Sequence, residues 1–371
     1  MLTKIEITNF KSFNKKFTFD LEETKSFEFN KECISNGIAN KVLVYGHNGC
    51  GKSNLGFAIF DLVSHLTDKE FISRYYDNYL NADCNEVYAS FKFKFKFNEN
   101  NYVEYLYTKS NNKMLISEEL IINGKQFAYI DKNESTIFTS TAKGTETLKK
   151  DLGDSNISII VYIAKNSILD KDETNTVFKQ FKEFINSMLY FRNLKENIYI
   201  GFSQGGGDIG EDIINKGNLK DFEEFLNKAD IKCKLIAKEI DGTRKIFFKF
   251  ENKEIDFFKI ASSGTASLTL FYYWYQRLKN HDGVKFLFID EFDAFYHHDV
   301  SRLIIEKLKE VFDTQIILTT HNTSLISNDL LRPDCYFLMD EEKIRPLTKC
   351  TDRELREGHN IEKMYRANSF E

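Results

Sequence analysis

The stretch that most limits what this chain can become is "KVLVYGHNGCGKSNLGFAIFDLVSHL", residues 41–66. A short apolar run reads as a buried strand, a glycine-rich turn follows, and a longer segment of helical spacing comes after it. Gly46, Asn48, Gly49, Cys50, Gly51, Lys52 and Ser53 lie within the pattern G-x-x-x-x-G-K-S, and Asn54 directly follows it. Glycines at those positions let backbone N–H groups turn inward around phosphate oxygens. Lys52 is placed to reach β- and γ-phosphates, the Ser53 hydroxyl to ligate Mg²⁺, and the helix beginning at Lys52 to add its positive end. The sequence therefore predicts an ATP site with Mg²⁺ on an α/β fold.

Two further strands fit the same site. "KFLFIDE" at 285–291 is a mostly apolar run ending in Asp290 and Glu291. Carboxylates at the C-terminal end of a buried strand face the ligand crevice of an open α/β sheet. There Asp290 suits Mg²⁺ through water, and Glu291 suits the general base that polarises an attacking water. Taken alone, both also read as solvated acids at a strand end. The glycine-rich turn upstream favours the ligand role. "QIILTTHN" at 315–322 ends another buried-type strand at His321. Such a histidine alone reads as structural. Beside the other two motifs it reads as a γ-phosphate contact.

"ASSGTASL" at 261–268 precedes the helical run "LTLFYYWYQRL". Ser263 reads as an N-cap. An exposed cap hydroxyl with free helix N–H groups is also what a phosphate needs, so capping and anion binding are compatible there.

The rest of the chain supplies the frame. "LTKIEITNFKSF" reads as an edge or hairpin strand. Residues 86–139 alternate as antiparallel strands and predict a β lobe set apart from the parallel core. "TNTVFKQFKEFINSMLYFRNL" and "NLKDFEEFLNKADIKCKLIAKEI" read as helical, and "SQGGGDIG" at 203–210 as the most flexible segment. The expected division is 1–150 for an N-terminal ATPase lobe with the β subdomain and 151–240 for a mainly helical insertion. Residues 241–371 then form a C-terminal ATPase lobe. A net charge of −5 argues against coating DNA by bulk charge. Six scattered cysteines without a C-x-x-C pair indicate neither a zinc site nor a redox motif and suit a reducing, cytoplasmic setting. No apolar run is long enough for a membrane helix.

Together these pieces resemble ABC-type P-loop ATPase heads of the SMC and RecF kind, on Walker A at 46–53, Walker B at 286–291, His321 and their order. In that superfamily a Ser-Gly signature ahead of a helix binds the γ-phosphate of ATP held by the other subunit. The resemblance puts Ser263 and Gly264 in that role, with Thr265 where a second glycine usually stands. Asp293 matches the D-loop at the subunit boundary, and no Q-loop glutamine is assigned. "NGCGKSNL", "ASSGT", "IDEFDAFYH", "TTHNTSLISNDLLRPDC" and "LREGHNIEKMYRANSF" are similar to the AAA-15/AAA-21 group. Many of its members are ATPase halves of abortive-infection, PARIS-type and related anti-phage systems. The resemblance implies a self-associating ATP switch, a nucleotide-sandwich dimer or a larger homo-oligomer. It also implies a separately encoded effector, a Toprim-type nuclease nearby, and a phage protein or DNA as trigger. Only about 50 residues follow His321, too few for a Toprim domain in this chain.

A RecF/SMC-like DNA-binding ATPase of repair is the alternative. A transporter subunit is disfavoured by the SMC/RecF-like "IEITNFKSF". Lys92, Lys94 and Lys96 form a basic strip that reads first as a solvated face guarding an edge strand, and second as a phosphate contact. "FYYWY" at 271–275 reads as core or interface helix. "ELREGHN" reads as part of a docked terminal helix before a partner contact.

Overall fold

Lys41–Tyr45 is buried at all five positions. A strand without a solvent face needs neighbours on both edges and layers on both sides. The computed structural model supplies both, and it describes the chain except residues 70–72, 194–196, 203–207, 281–282 and 371. A seven-stranded mixed sheet runs in the order Asn197–Gly201, Met188–Asn193, Phe286–Asp290, Gln315–Thr320, Lys41–Tyr45, Tyr336–Met339, Ile344–Pro346. Its five inner strands are parallel and its two edge strands antiparallel. The parallel strands end at one edge of the sheet, which gathers Tyr45, Asp290, Thr320 and Arg192.

A second seven-stranded sheet is wholly antiparallel. Its order is Thr139–Ser140, Lys125–Asp131, Leu115–Ile122, Tyr102–Lys109, Ala89–Lys96, Leu2–Thr8, Phe17–Asp20. The strict alternation of "FKFKFKF" puts Phe91, Phe93 and Phe95 in the core and the lysines outside. The strip is not on an edge, because Ala89–Lys96 pairs on both sides. Lys92 and Lys94 instead meet Glu104 of the neighbouring strand, at 2.7 and 3.3 Å.

The helix Lys52–Leu66 lies between the two sheets, which explains why it is apolar almost all round. Gly56 faces the mixed sheet. A Cβ there would come within 2.7 Å of the Tyr190 ring and 2.8 Å of Phe288, so only glycine allows this approach. On the other side Asp61, fully buried, accepts from Tyr79 (3.0 Å), Tyr107 (2.9 Å) and Lys109 (2.9 Å) of the antiparallel side. The Gln315 side chain also bonds Leu2 N–H at 3.0 Å and Leu2 C=O at 2.9 Å, stitching one sheet to the other. The antiparallel strands are thus not set apart. They share one continuous core with the parallel sheet.

Two helical readings end earlier than expected. Helix Glu173–Asn186 stops at Ser187, and "MLYFRN" becomes a strand beside Phe286–Asp290. Helix Leu219–Lys228 stops before Asp230, at φ +62°, and Leu235–Ile240 opens a three-stranded sheet with Thr243–Lys249 and Glu254–Asp256. A short apolar run has the same composition in a buried strand as in a buried helix, and periodicity does not separate the two. The glycines at 203–207 lie outside the described residues. Helix Ser263–Lys279 buries Phe271, Tyr272, Tyr273 and Tyr275, leaves Trp274 half-buried, and is tied to helix Ile209–Asn215 by a bidentate Arg277–Asp212 pair at 2.9 and 3.2 Å.

Candidate nucleotide site

The turn after Lys41–Tyr45 is shaped by its glycines. Gly49 and Gly51 stand at φ +86° and +101°, where a side chain would be strained. A Cβ on Gly46 would meet Cys50 Sγ at 2.5 Å and the Met339 carbonyl at 2.6 Å. One on Gly51 would meet Ser12 Oγ at 2.8 Å. Lys52 is buried, and its ammonium donates to the carbonyls of Gly46 (2.7 Å) and His47 (2.9 Å). Cys50 is buried, and desolvation pushes its thiol above the usual range. Asn54 sends its amide to Ser12 Oγ at 2.9 Å.

The strand Phe286–Asp290 delivers the carboxylates. Asp290 is fully buried, and its Oδ2 accepts from Ser53 Oγ at 2.6 Å and from Tyr190 OH at 3.2 Å. Its Oδ1 accepts from Thr319 Oγ1 at 2.7 Å. The same Thr319 oxygen accepts the Glu291 N–H at 2.8 Å. Glu291 stands at φ +48°, a conformation that costs a residue with a Cβ about 1–3 kcal/mol and that clusters at functional sites. Arg192 lies over both acids, its Nε 3.3 Å from Asp290 Oδ2 and its Nη2 3.6 Å from Glu291 Oε2.

Ser53 and Asp290 present hard oxygen donors side by side, the donor set that suits Mg²⁺. The turn offers backbone N–H groups at the start of a helix, which suits phosphate. The residues present fit both groups.

Asp293 is buried. Its Oδ2 accepts from Thr320 Oγ1 at 2.8 Å, and its Oδ1 has no hydrogen-bond partner among the described residues. Burial pushes its carboxyl above the usual range, against the opposing pull of the Thr320 hydroxyl and His321. His321 is exposed at the end of Gln315–Thr320. Lys52, Ser53, Asp290, Glu291, Asp293 and His321 thus come from three neighbouring strand ends.

The signature stretch differs from the expectation in one respect. Ser262, not Ser263, caps the helix, with its Oγ accepting the Thr265 N–H at 3.2 Å. Thr265 Oγ1 lies 2.9 Å from that Oγ, so threonine in place of a second glycine reinforces the cap. Ser263 is the first helical residue and is exposed. A Cβ on Gly264 would sit 3.6 Å from the Phe295 carbonyl, which places this turn beside the 293–296 stretch of its own chain. Among the described residues no hydrogen bond joins Ser263 or Gly264 to the turn at 46–54.

Sequence reasoning missed Arg192, Tyr190 and Thr319. The first two sit in a segment read as helix, and a strand reading of "MLYFRN" would have aimed Arg192 at the carboxylates. The segment 352–370 is docked, but "ELREGHN" is not helical: the terminal helix is Ile361–Arg366, capped by Asn360. Asn328 Nδ2 donates to the carbonyls of Arg356, Glu357 and His359 at 2.9–3.1 Å, and Tyr365 packs edge-on against Tyr45 at 5.1 Å.

Thr319→Val tests how the carboxylates are held. It keeps the side-chain shape and removes one hydroxyl shared by Asp290 and the Glu291 N–H. A loss of about 1–3 kcal/mol in unfolding free energy is expected from the buried groups left unpaired, read from urea denaturation. An unchanged midpoint would mean the hydroxyl is dispensable.

No curated protein sequence matches the chain. Several solved structures are similar to it over most of its length. An SMC head bound to the C-terminal winged-helix domain of ScpA is 16% identical, with 93% of this chain and 97% of that one covered and a TM-score of 0.48. The SMC head domain from Thermotoga maritima is 14% identical, covering 93% and 98%, with a TM-score of 0.43. The recombination mediator RecF is 17% identical, covering 94% and 98%, with a TM-score of 0.41. Among the described residues no helix is long and apolar enough to cross a membrane. A family model described as "AAA domain, putative AbiEii toxin, Type IV TA system" matches residues 42–327, from the strand of the glycine-rich turn to the stretch beyond His321. Most of the chain lies within that match, and the protein belongs to this family of AAA-type P-loop ATPases.

Proposed function

We propose that the protein is an ATP-driven switch: it binds Mg²⁺–ATP at residues 46–53, closes on a second copy, and reopens on hydrolysis. The observation that carries this reading is the 2.6 Å hydrogen bond between Ser53 and Asp290, residues 237 positions apart, at the mouth of a turn that only glycine can form. Lys52 exchanges its loop carbonyls for phosphate oxygens. Backbone N–H groups from Asn48 to Ser53, with Asn54 behind them, hold the phosphate chain, and Ser53 and Asp290 hold Mg²⁺, which neutralises phosphate charge when bound. Glu291 takes the proton of the attacking water, and His321 contacts the γ-phosphate. Ser263 and Gly264 act on ATP held by the other copy, and Asp293 lies at that boundary.

The effect of such a cycle depends on a protein that distinguishes its two states, because a ligand shifts an equilibrium only by differential affinity. Every group placed here serves ATP. That inventory favours an effector in a separate protein, and the resemblance to the AAA-15/AAA-21 group points to a Toprim-type nuclease encoded nearby, in anti-phage defence. The test is to purify the chain with and without its neighbour's product and assay ATP hydrolysis, co-purification and nucleic-acid cleavage. Cleavage is expected only with the second protein present, and sensitive to Lys52→Ala. Cleavage by this chain alone, indifferent to that substitution, would overturn the assignment.

A further inference from the structure

A groove of 850 Å³ opens directly beside the signature turn, with Ser262 and Thr265 on its wall. Three lysines line it, Lys232, Lys234 and Lys249, all exposed. No ion pair to any of them is found among the described residues. Between them lie Phe248, Phe250 and Ile260, the last two 48% exposed. Cationic heads at the rim of such a groove suit an anionic partner segment.

The chain carries a matching feature at its nucleotide turn. The Met339 carbonyl would lie 2.6 Å from a Cβ on Gly46, so the segment that follows it stands at the mouth of the turn. That segment is Asp340-Glu341-Glu342. The Asp340 side chain accepts the N–H groups of Glu342 and Lys343, each at 2.8 Å, which fixes the bend. Glu341 and Glu342 are exposed and without an ion pair among the described residues. The charge of Asp340 reaches Cys50 inside the turn.

The two features flank two halves of one proposed site. If ATP on the 46–53 turn of one copy is closed by Ser263 of another, the residues beside the turn meet the residues beside the signature helix. We infer that the groove at Lys232, Lys234 and Lys249 receives the 340–342 bend of a second copy of this chain, twice per symmetric dimer. This rests on the sandwich reading above and deepens it. Complementary charge at the rim of an interface fixes register and speeds encounter. Screening makes its contribution fall as salt rises. Nucleotide binding by a single copy does not involve the groove.

The experiment uses the full chain carrying Glu291→Gln, so that ATP is retained, with dimerisation read by sedimentation and binding of a fluorescent ATP analogue as the folding control. Lys232→Glu with Lys234→Glu and Lys249→Glu is expected to weaken the ATP-dependent dimer roughly 10- to 100-fold, from the loss and reversal of several exposed charge pairs. Glu341→Lys with Glu342→Lys is expected to do the same. All five substitutions in one chain restore opposite charges across both contacts and are expected to recover most of the affinity. ATP-dependent dimers that are unaffected by either set, or that the combined chain fails to recover, would overturn the clamp and leave the sandwich standing. No dimer in the Glu291→Gln parent would overturn both. If the lysine variant dimerises normally but loses binding to a single-stranded oligonucleotide, the groove serves nucleic acid and the inference is wrong.

Discussion

Glu291→Gln is expected to bind ATP normally and to hydrolyse it about 10²–10⁴-fold more slowly, the usual loss for a general base, or roughly 3–5 kcal/mol of barrier. Binding survives because no Glu291 side-chain hydrogen bond to the 46–53 turn occurs among the described residues. Its carboxylate lies 3.6 Å from Arg192 Nη2, and its backbone is held by Thr319. Glutamine keeps the shape and backbone of the site and removes the proton acceptor. In the proposed cycle closure precedes hydrolysis, so nucleotide-dependent dimers are expected to accumulate in this variant. Lys52→Ala separates the two effects: it removes the cation proposed to face the phosphates and is expected to weaken binding itself. Single-turnover hydrolysis beside equilibrium binding of a fluorescent analogue reads both. Near-normal turnover in Glu291→Gln would place the base elsewhere.

The glycine-rich turn was legible in the sequence because its glycines have a backbone reason to be there. Gly46, Gly49 and Gly51 mark positions where a Cβ would clash or a positive φ is needed. A pattern imposed by sterics survives without knowledge of the fold. The strands ending at Tyr45, Asp290 and Thr320 were legible for a similar reason. Each is a short, nearly continuous apolar run, as a strand covered on both faces requires.

What stayed hidden depends on contacts distant in sequence. "MLYF" is equally apolar as helix or strand, and its pairing with Phe286–Asp290 decides the matter. Arg192 was lost with it. The lysine strip was read as an edge because alternation does not say which strands flank it. Leu2–Thr8, far away in sequence, takes that place. At the signature stretch two adjacent serines offered two caps. Ser262 wins because its backbone is extended, at ψ 165°, with its Oγ on the Thr265 N–H, while Ser263 is already helical. That shift by one residue leaves the Ser263 hydroxyl outside the cap and exposed.

The role of Ser263 across the subunit boundary is the centre of the functional proposal, and mixing two inactive chains tests it directly. Ser263→Arg places a bulky cation where a γ-phosphate contact is proposed. The helix keeps its cap, because Ser262 supplies it. Lys52→Ala disables the turn of its own chain. In a mixed dimer one site combines the intact Lys52 of the first variant with the intact Ser263 of the second, and the other site lacks both. Each variant alone is expected to be inactive. With random pairing at equal amounts, half of the dimers are mixed and each has one working site, so about a quarter of the native hydrolysis rate is expected. Differently tagged chains verify that mixed dimers form. Recovery of that order supports an ATP sandwich with Ser263 acting in trans. Mixed dimers that form and yet hydrolyse nothing would contradict it and reduce "ASSGT" to a helix cap.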